Sequence, residues 1–507
     1  MTDQMIRAQY RPALSHDPEQ PLFQRIARQI ARDIQAGVLL PGAALPGSRK
    51  LSTALGVHRN TALAALDELA QQGWLRSEPR RGCFVSENFP ETRPRRFAKP
   101  LHAPGPPLEL PESPPPEPFP AFEADVLPLV GGTPDYRLIP TAELSRAYRR
   151  ALARWPRLLA YGSELGEPRL RAVLAQLLRD TRSLPASAEN IIVTRGSQMA
   201  LFLLGRALVR PTTVVAVEGL GYRPCWESLR LSGARIMALP VDREGLSTSA
   251  LAELLKRERV AAVYTTPHHQ YPTTVTLAAP RRLELLSLAR RHGFVIIEDD
   301  YDHEHHYDGR PVLPLASVDA DVVAYVGTLS KILAPGLRLG YLAARPEIIE
   351  RAARARSYVD RCGDHVVERA VAELIEDDLL GRHVRRARRE YQARRDALVS
   401  ELQSQLGGAL EFREPSGGMA LWAKVTAPFV SSDSWAARAL ERKVLVHPGR
   451  RFRFDGREVP YLRLGFAPLT PEEIREAVTR LAHALPRPRA RRNQQQRGEG
   501  ERRTTGR

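Results

Sequence analysis

A chain of 507 residues, 43% hydrophobic and 26% charged, is long enough for more than one domain, and no stretch reaches the about 18 uninterrupted apolar residues of a membrane span. Its three cysteines (Cys83, Cys225 and Cys362) lie far apart and its first residues are broken by charges and prolines, so neither a disulfide framework, a zinc ribbon nor a secretory signal is expected, and a reducing, cytoplasmic setting is. A formal net charge of +17 calls for an anionic partner, nucleic acid first, and only six of the 75 basic residues are lysines (50, 99, 256, 331, 424 and 443), which singles out each of them.

Residues 15–87 form the first expected domain. Within it, 22–36 (LFQRIARQIARDIQA) put Phe23, Ile26, Ala27, Ile30 and Ile34 on one helical face, and Gly37 ends the helix. Ser48 is the expected cap of a second short helix reaching Leu55. Gly56-Val57-His58 then turns the chain into a third helix starting near Arg59. Ala62, Ala65, Leu66 and Leu69 face inward there, which leaves Arg59, Asn60 and Thr61 exposed in the first turn. Residues 76–85 read as a two-stranded wing. An exposed Arg-Asn-Thr turn suits the major groove, because these side chains hydrogen-bond base edges and phosphates, and basic residues at a wing tip suit the neighbouring backbone. The same spacing also describes a small three-helix bundle with a solvated basic face.

The segment LPGSRKLSTALGVHRNTALAALDELAQQGWLRSEPRRGCFV resembles the winged helix-turn-helix of GntR-type bacterial transcription regulators. That resemblance implies a double-stranded DNA operator as partner, contacted by Arg49, Arg59, Asn60, Thr61, Arg81 and Gly82. His58 stands where the family usually has Ser or Thr. Histidine caps a helix less well than a hydroxyl, which leaves a phosphate contact as its alternative role.

Residues 88–125 are dense in proline, which removes amide donors and favours extended chain, so a semi-rigid linker is expected. Residues 486–507 are polar and arginine-rich, and a disordered tail is expected. Between them, 126–485 form the second expected domain. Apolar runs at 191–194, 213–218, 260–266, 294–300 and 322–328 alternate with helical segments at 197–209, 248–257 and 280–292. Such alternation indicates an α/β body with a mostly parallel sheet, whose ligands sit at the carboxyl ends of the strands.

Those ends carry a distinctive set. Thr194-Arg195-Gly196-Ser197 opens a helix whose free amides suit a phosphate. Tyr222, Asp299, Tyr301 and Thr328-Leu329-Ser330-Lys331 follow at the other ends, with Arg338 seven residues after the lysine. A lysine for a Schiff base, a carboxylate for a pyridine nitrogen, a tyrosine for a phenolate and a hydroxyl-plus-arginine cup are the parts pyridoxal 5′-phosphate (PLP) requires. Each part alone is ordinary surface chemistry; their joint occurrence on one sheet edge carries the reading.

TPHHQYPTTVTLAAPRRLELL, IIEDDYDHEHHYDGRP, VGTLSKILAPGLRLGY and YLRLGFA resemble motifs of fold-type I aminotransferases, and more closely of the MocR (GabR-type) subgroup of GntR regulators, in which such a body follows the winged helix. The resemblance implies an N-terminal winged helix-turn-helix head, a Pro-rich linker and a PLP-dependent aminotransferase-like body with a smaller C-terminal α/β subdomain. It implies that Lys331 forms the internal aldimine, Asp299 pairs with the ring nitrogen, Tyr301 approaches the phenolic oxygen and Tyr222 stacks on the ring. Gly196, Ser197, Thr328, Ser330 and Arg338 would hold the phosphate, and Arg463 an effector carboxylate. It also implies a homodimer.

Departures cluster on the amine side: Leu220 for proline, Thr274 for glycine, Arg195 for a small residue, and the unusual His303, His305 and His306. With Glu304 these histidines make a ligand-dense loop, whose expected reading is a solvated polar turn; no metal is expected. Two functions follow. One is a transcription regulator that senses an amino acid, an amine or PLP through an external aldimine, not a turnover enzyme. The alternative is an active aminotransferase with an accessory DNA-binding head. The winged head and the altered amine side favour the regulator.

Overall fold

The structure, a computed structural model, describes residues 10–13, 20–78, 81–87, 125–309 and 312–486. The proline-rich linker up to residue 124 and the arginine-rich tail from residue 487 lie outside them. Two compact units emerge, residues 1–117 and 118–507. Among the described residues no helix is long and apolar enough to cross a membrane.

The first unit holds helices α1 (Leu22–Gln35), α2 (Ser48–Leu55) and α3 (Arg59–Gln71), then the antiparallel hairpin β1 (Leu75–Glu78) and β2 (Gly82–Val85). Ile26, Ile30 and Ile34 of α1 meet Ala62, Leu66 and Leu69 of α3 in one small core. Ile26 and Ile30 are fully buried, each worth about 1.5–3 kcal/mol relative to exposure. Ser48 does not cap α2. The preceding backbone is extended at Gly47, which takes the cap position, so Ser48 already lies inside the first turn and no side chain caps the helix. His58 does cap α3: its Nδ1 accepts the Asn60 amide at 3.3 Å. The imidazole nitrogen thus does the work expected of a hydroxyl.

The second unit is built on a seven-stranded sheet. In chain order it comprises β3 (Ile191–Thr194), helix α4 (Ser197–Leu208), β4 (Val214–Glu218), β5 (Arg235–Leu239), β6 (Val260–Thr265), β7 (Val295–Asp300), β8 (Val323–Thr328) and β9 (Gly340–Ala343). The order across the sheet is β3-β9-β8-β7-β6-β4-β5. Only β9 runs antiparallel to its neighbours, so the other six strands end on one edge. Separate apolar clusters cover the two faces, as expected of a sheet buried on both sides. Strands β5 and β9 are additional to the runs read from the sequence.

After the long helix α5 (Leu379–Leu406) comes a smaller α/β layer with its own core. Its four strands are β10 (Leu410–Phe412), β11 (Ala420–Val425), β12 (His447–Pro448) and β13 (Tyr461–Gly465), in the order β10-β11-β13-β12. Helix α6 (Pro471–His483) starts with a capping box between Thr470 and Glu473 and packs against α5. A short strand, Leu127–Pro128, pairs with Val444–Leu445, which brings residues 129–132 to this layer.

Candidate functional site

Gly196 caps the amino end of α4 with φ +78° and ψ 170°, a conformation open to glycine. A Cβ there would lie 3.0 Å from Nη2 of Arg338, which itself donates to the Arg195 carbonyl at 3.1 Å. Register completes the cup: Gly340 pairs with Thr194 on one side and Thr328 on the other. A Cβ on Gly340 would come within 2.8 Å of the Ser197 amide nitrogen. Thr328 Oγ1 accepts the Ser330 amide at 3.1 Å, while the buried Ser330 Oγ has no hydrogen-bond partner among the described residues. Gly196, Ser197, Thr328 and Arg338 are thereby brought to the amino terminus of α4, with Ser330 hydrogen-bonded to Thr328, where amides and dipole favour an anion.

Strand alternation divides the carboxylates of β7. Glu298 points to one face and accepts the amides of Leu315 and Ala316 at 2.7 and 2.9 Å. Asp300 shares that face and accepts the Tyr325 hydroxyl at 2.8 Å. Asp299 points the other way. Its Oδ2 accepts the Tyr264 hydroxyl at 2.9 Å, and its Oδ1 is buried without a partner among the described residues. Burial pushes Asp299 up to about 7 against the opposing Tyr264 hydrogen bond. Lys331 is half-buried, and its Nζ donates to the Gly132 carbonyl. Burial first, then the Arg463 charge, brings it down to about 8, with Asp299 acting in the opposite sense.

Arg463 lies in β13, 2% exposed, with its guanidinium carbon 4.4 Å from the centroid of the Tyr271 ring. Its Nε and Nη1 have no hydrogen-bond partner among the described residues. Tyr271 also meets Tyr222 edge-on at 5.6 Å and Tyr301 at 5.9 Å. The Tyr301 hydroxyl donates to the His269 carbonyl at 3.0 Å. The structure thus brings Tyr222, Tyr301 and Arg463 together around a ring that the sequence reading did not single out.

In the head, Arg49, Arg59 and Asn60 are exposed and Thr61 is half-buried. Arg81 is exposed at the wing tip, donates to Glu78 at 2.6 Å and lies 5.6 Å from the Phe84 ring centroid. Gly82 follows with φ +114°.

Residues 126–481 match the family described as aminotransferase class I and II, and residues 22–85 match the bacterial regulatory proteins of the gntR family. The aromatic-amino-acid aminotransferase 1 of Thermococcus litoralis is 32% identical over 370 residues, 71% of this chain and 88% of that protein. The solved multiple substrate aminotransferase of Thermococcus profundus covers 72% of this chain and 92% of its own at 30% identity, with a TM-score of 0.67. These two relatives match about seven-tenths of the chain. The probable rhizopine catabolism regulatory protein MocR of Rhizobium meliloti is 30% identical over 481 residues, 93% of this chain and 95% of its own. The chain belongs to the MocR-type GntR regulators.

MocR-type proteins join a GntR head to a fold-type I body from a PLP-dependent family. The residues present fit that cofactor. A buried carboxylate oxygen without a partner, a buried serine hydroxyl without a partner, a glycine-lined helix amino terminus and a half-buried lysine are the kinds of group that its ring nitrogen, phosphate and aldehyde call for. The aminotransferase match begins at residue 126 and takes in Gly131 and Gly132, which the sequence reading did not single out. A Gly-Gly pair was the available signal. Tyr264 gave none, since an aromatic in an apolar run reads as core.

The departures take definite places. Thr274 has φ +63°, the left-handed region where the family's glycine costs nothing. Leu220 forms an isolated bridge with Arg453, and its carbonyl accepts Gln270 Nε2 at 2.7 Å. Arg195 turns outward to Asp360 at 3.0 Å. The histidine loop is not a solvated turn: His303 and His305 are buried, and only His306 is half-buried. Glu304 is drawn inward by the buried Arg182, and His305 packs on Tyr391 at 5.2 Å. The loop's histidines are carried into the protein interior, so polarity in the sequence did not mean exposure.

Proposed function

We propose that the body binds PLP through Lys331, and that an amino acid taken up beside it at Arg463 alters how the head binds a double-stranded operator. The observation that carries this reading is the buried Arg463 guanidinium, two of whose nitrogens lack partners while the group is held over Tyr271. A bidentate carboxylate is the ligand class that matches such a fork, which ranks an amino acid above a simple amine or free PLP as effector. When bound, PLP supplies an aldehyde carbon that condenses with primary amines and a ring that withdraws electrons from the neighbouring carbon.

The protein's own groups prepare for this. Lys331, held near 8, has a substantial unprotonated fraction at neutral pH and can act as a nucleophile. Asp299 Oδ1 offers an acceptor to a ring N–H, and the hydroxyl of Tyr264 fixes the carboxylate plane. Gly196, Ser197, Thr328, Ser330 and Arg338 hold the phosphate, with Tyr222 and Tyr301 at the ring. In the head, Arg59, Asn60 and Thr61 read the major groove, with Arg49, Arg81 and Gly82 on the backbone. Exposed Leu159, Tyr161, Tyr358 and Val359, with Arg361 over the Tyr161 ring at 5.4 Å, favour a second copy as partner in a homodimer. A reducing, cytoplasmic setting accommodates the three free cysteines.

The test is an operator titration against a panel of amino acids, amines and PLP. A matching amino acid should change operator affinity by a few-fold to about a hundredfold, the range of ~1–3 kcal/mol couplings. Arg463→Ala should remove the response and leave the cofactor bound. The second reading, an active aminotransferase, is favoured by the joint presence of Lys331, Asp299 and Arg463. Steady keto-acid production at ~1 per second or faster, with no effector changing DNA binding, would establish that reading instead.

A further inference from the structure

Beyond Tyr301 lies a second cluster, made of side chains that no role above uses. His268 and His269 follow β6, and His306 comes from the loop after β7. The rings of His268 and His269 lie 4.4 Å apart, with His306 at 5.9 and 6.1 Å from them. One ring nitrogen of each lies within 4.8 Å of the other two. His268 and His269 are 5% and 2% exposed. Nε2 of His268, Nε2 of His269 and Nδ1 of His306 are all buried without a hydrogen-bond partner among the described residues. A buried polar atom without a partner costs about 1–3 kcal/mol, and here three converge.

We infer that His268, His269 and His306 form a site for a divalent first-row transition metal, zinc being the ion to which three neutral imidazoles and one open position are suited. The second ring nitrogen of His269 supports the assignment: Nδ1 lies 2.8 Å from Oδ1 of the buried Asp302. A carboxylate that accepts a hydrogen bond from Nδ1–H leaves Nε2 as a lone-pair donor, the arrangement that orients histidine ligands in metal sites. His306 has a backbone hydrogen bond to Asp308, again leaving Nδ1 free to donate. The surroundings tolerate a dication, since the negative charges of Asp300 and Asp302 both act on His268 and His269.

A competing triad, His268, Asp300 and His303, shares one member. Two of its members, Asp300 and His303, already face one another. Asp300 Oδ2 accepts the Tyr325 hydroxyl and lies 2.9 Å from His303 Nδ1. In the three-histidine set every member keeps a buried ring nitrogen without a hydrogen-bond partner among the described residues.

The experiment uses the full-length protein with its cofactor and without a histidine tag. It is stripped with a chelator, dialysed and titrated with zinc chloride against a chromophoric chelator, with metal content read by mass spectrometry. No amino acid or DNA is present, so the outcome is separate from the effector reading. One zinc per chain is expected. Asp302→Asn should weaken binding about 10–100-fold, as loss of an outer-shell partner does, and His268→Ala and His306→Ala should each weaken it further. His303→Ala should retain the ion. Circular dichroism checks each fold, and if His268→Ala does not fold, the half-buried His306 decides alone. No zinc retained at micromolar concentration, or wild-type affinity in His306→Ala, overturns the assignment. So does loss of zinc in His303→Ala with retention in His306→Ala, which would move the ion to Asp300.

Discussion

Gly131 lies so close to the guanidinium of Arg463 that a methyl group there would run into Nη1 and Cζ. The backbone of one segment thus sets where the arginine of another can sit. Gly131→Ala must push Arg463 off Tyr271 or strain the turn, and overpacking of this kind costs about 1–3 kcal/mol. A lower melting temperature and loss of the amino-acid effect on operator binding are expected, with the visible band of the bound cofactor retained.

Lys331→Ala should fold normally and lose that band. Borohydride should fix the cofactor to the wild-type peptide containing Lys331 and leave the variant unlabelled, as read by absorption and peptide mass. A label on another lysine would contradict the role given to Lys331.

The cofactor-free protein should show two opposed dependences on pH. Asp299 is raised to about 7 from 3.8, so between these values the folded chain holds more protons than the unfolded one. Its contribution to stability is complete below ~4 and is lost as pH rises to about 7. Lys331 is lowered to about 8 from 10.5, so there the unfolded chain holds more protons and stability rises with pH. Asp299→Asn should flatten the acidic slope and Lys331→Met the basic one in denaturant melts. Glu298 and Glu368, also held near 7 by burial, leave a residual acidic slope.

Replacing His58 should loosen the head. His58→Ala removes the acceptor of the Asn60 amide, a loss of about 0.5–2 kcal/mol for N-caps generally. At 3.3 Å the bond is long, which places the loss at the low end. His58→Ser should match or exceed the wild type in thermal melts.

Arg59→Ala should cost about 1–3 kcal/mol and relax base preference if the side chain reads a base edge. If it meets only phosphate, every sequence should weaken alike and the salt slope should become shallower. Binding isotherms at several salt concentrations on operator and scrambled duplexes separate the two.

How far the sequence reaches is visible at particular residues. The ends of β3, β4, β6, β7 and β8 were legible because apolar runs stop abruptly at polar, chemistry-bearing residues. The return strand β9 was not, since Gly340-Tyr341-Leu342-Ala343 is too short for a periodic signal. Tyr264 pairs with Asp299, and Gly132 with Lys331, across 35 and 199 residues of chain. No local pattern encodes such pairings; they exist only once the strands are aligned. The histidine loop misled for the opposite reason, because its polar residues are carried into the interior.

The antiparallel β9 has a consequence for heredity. Because it returns beside β8, Lys331 and Arg338 ride on a single reversal of the chain, from residue 329 to 339, with Gly340 at its far end against α4. The proposed covalent anchor and the proposed anion clasp are therefore one module. An insertion or deletion in that reversal shifts both together, so descendants of this chain should keep both grips on the cofactor or lose both, and homologues retaining the arginine alone should be rare.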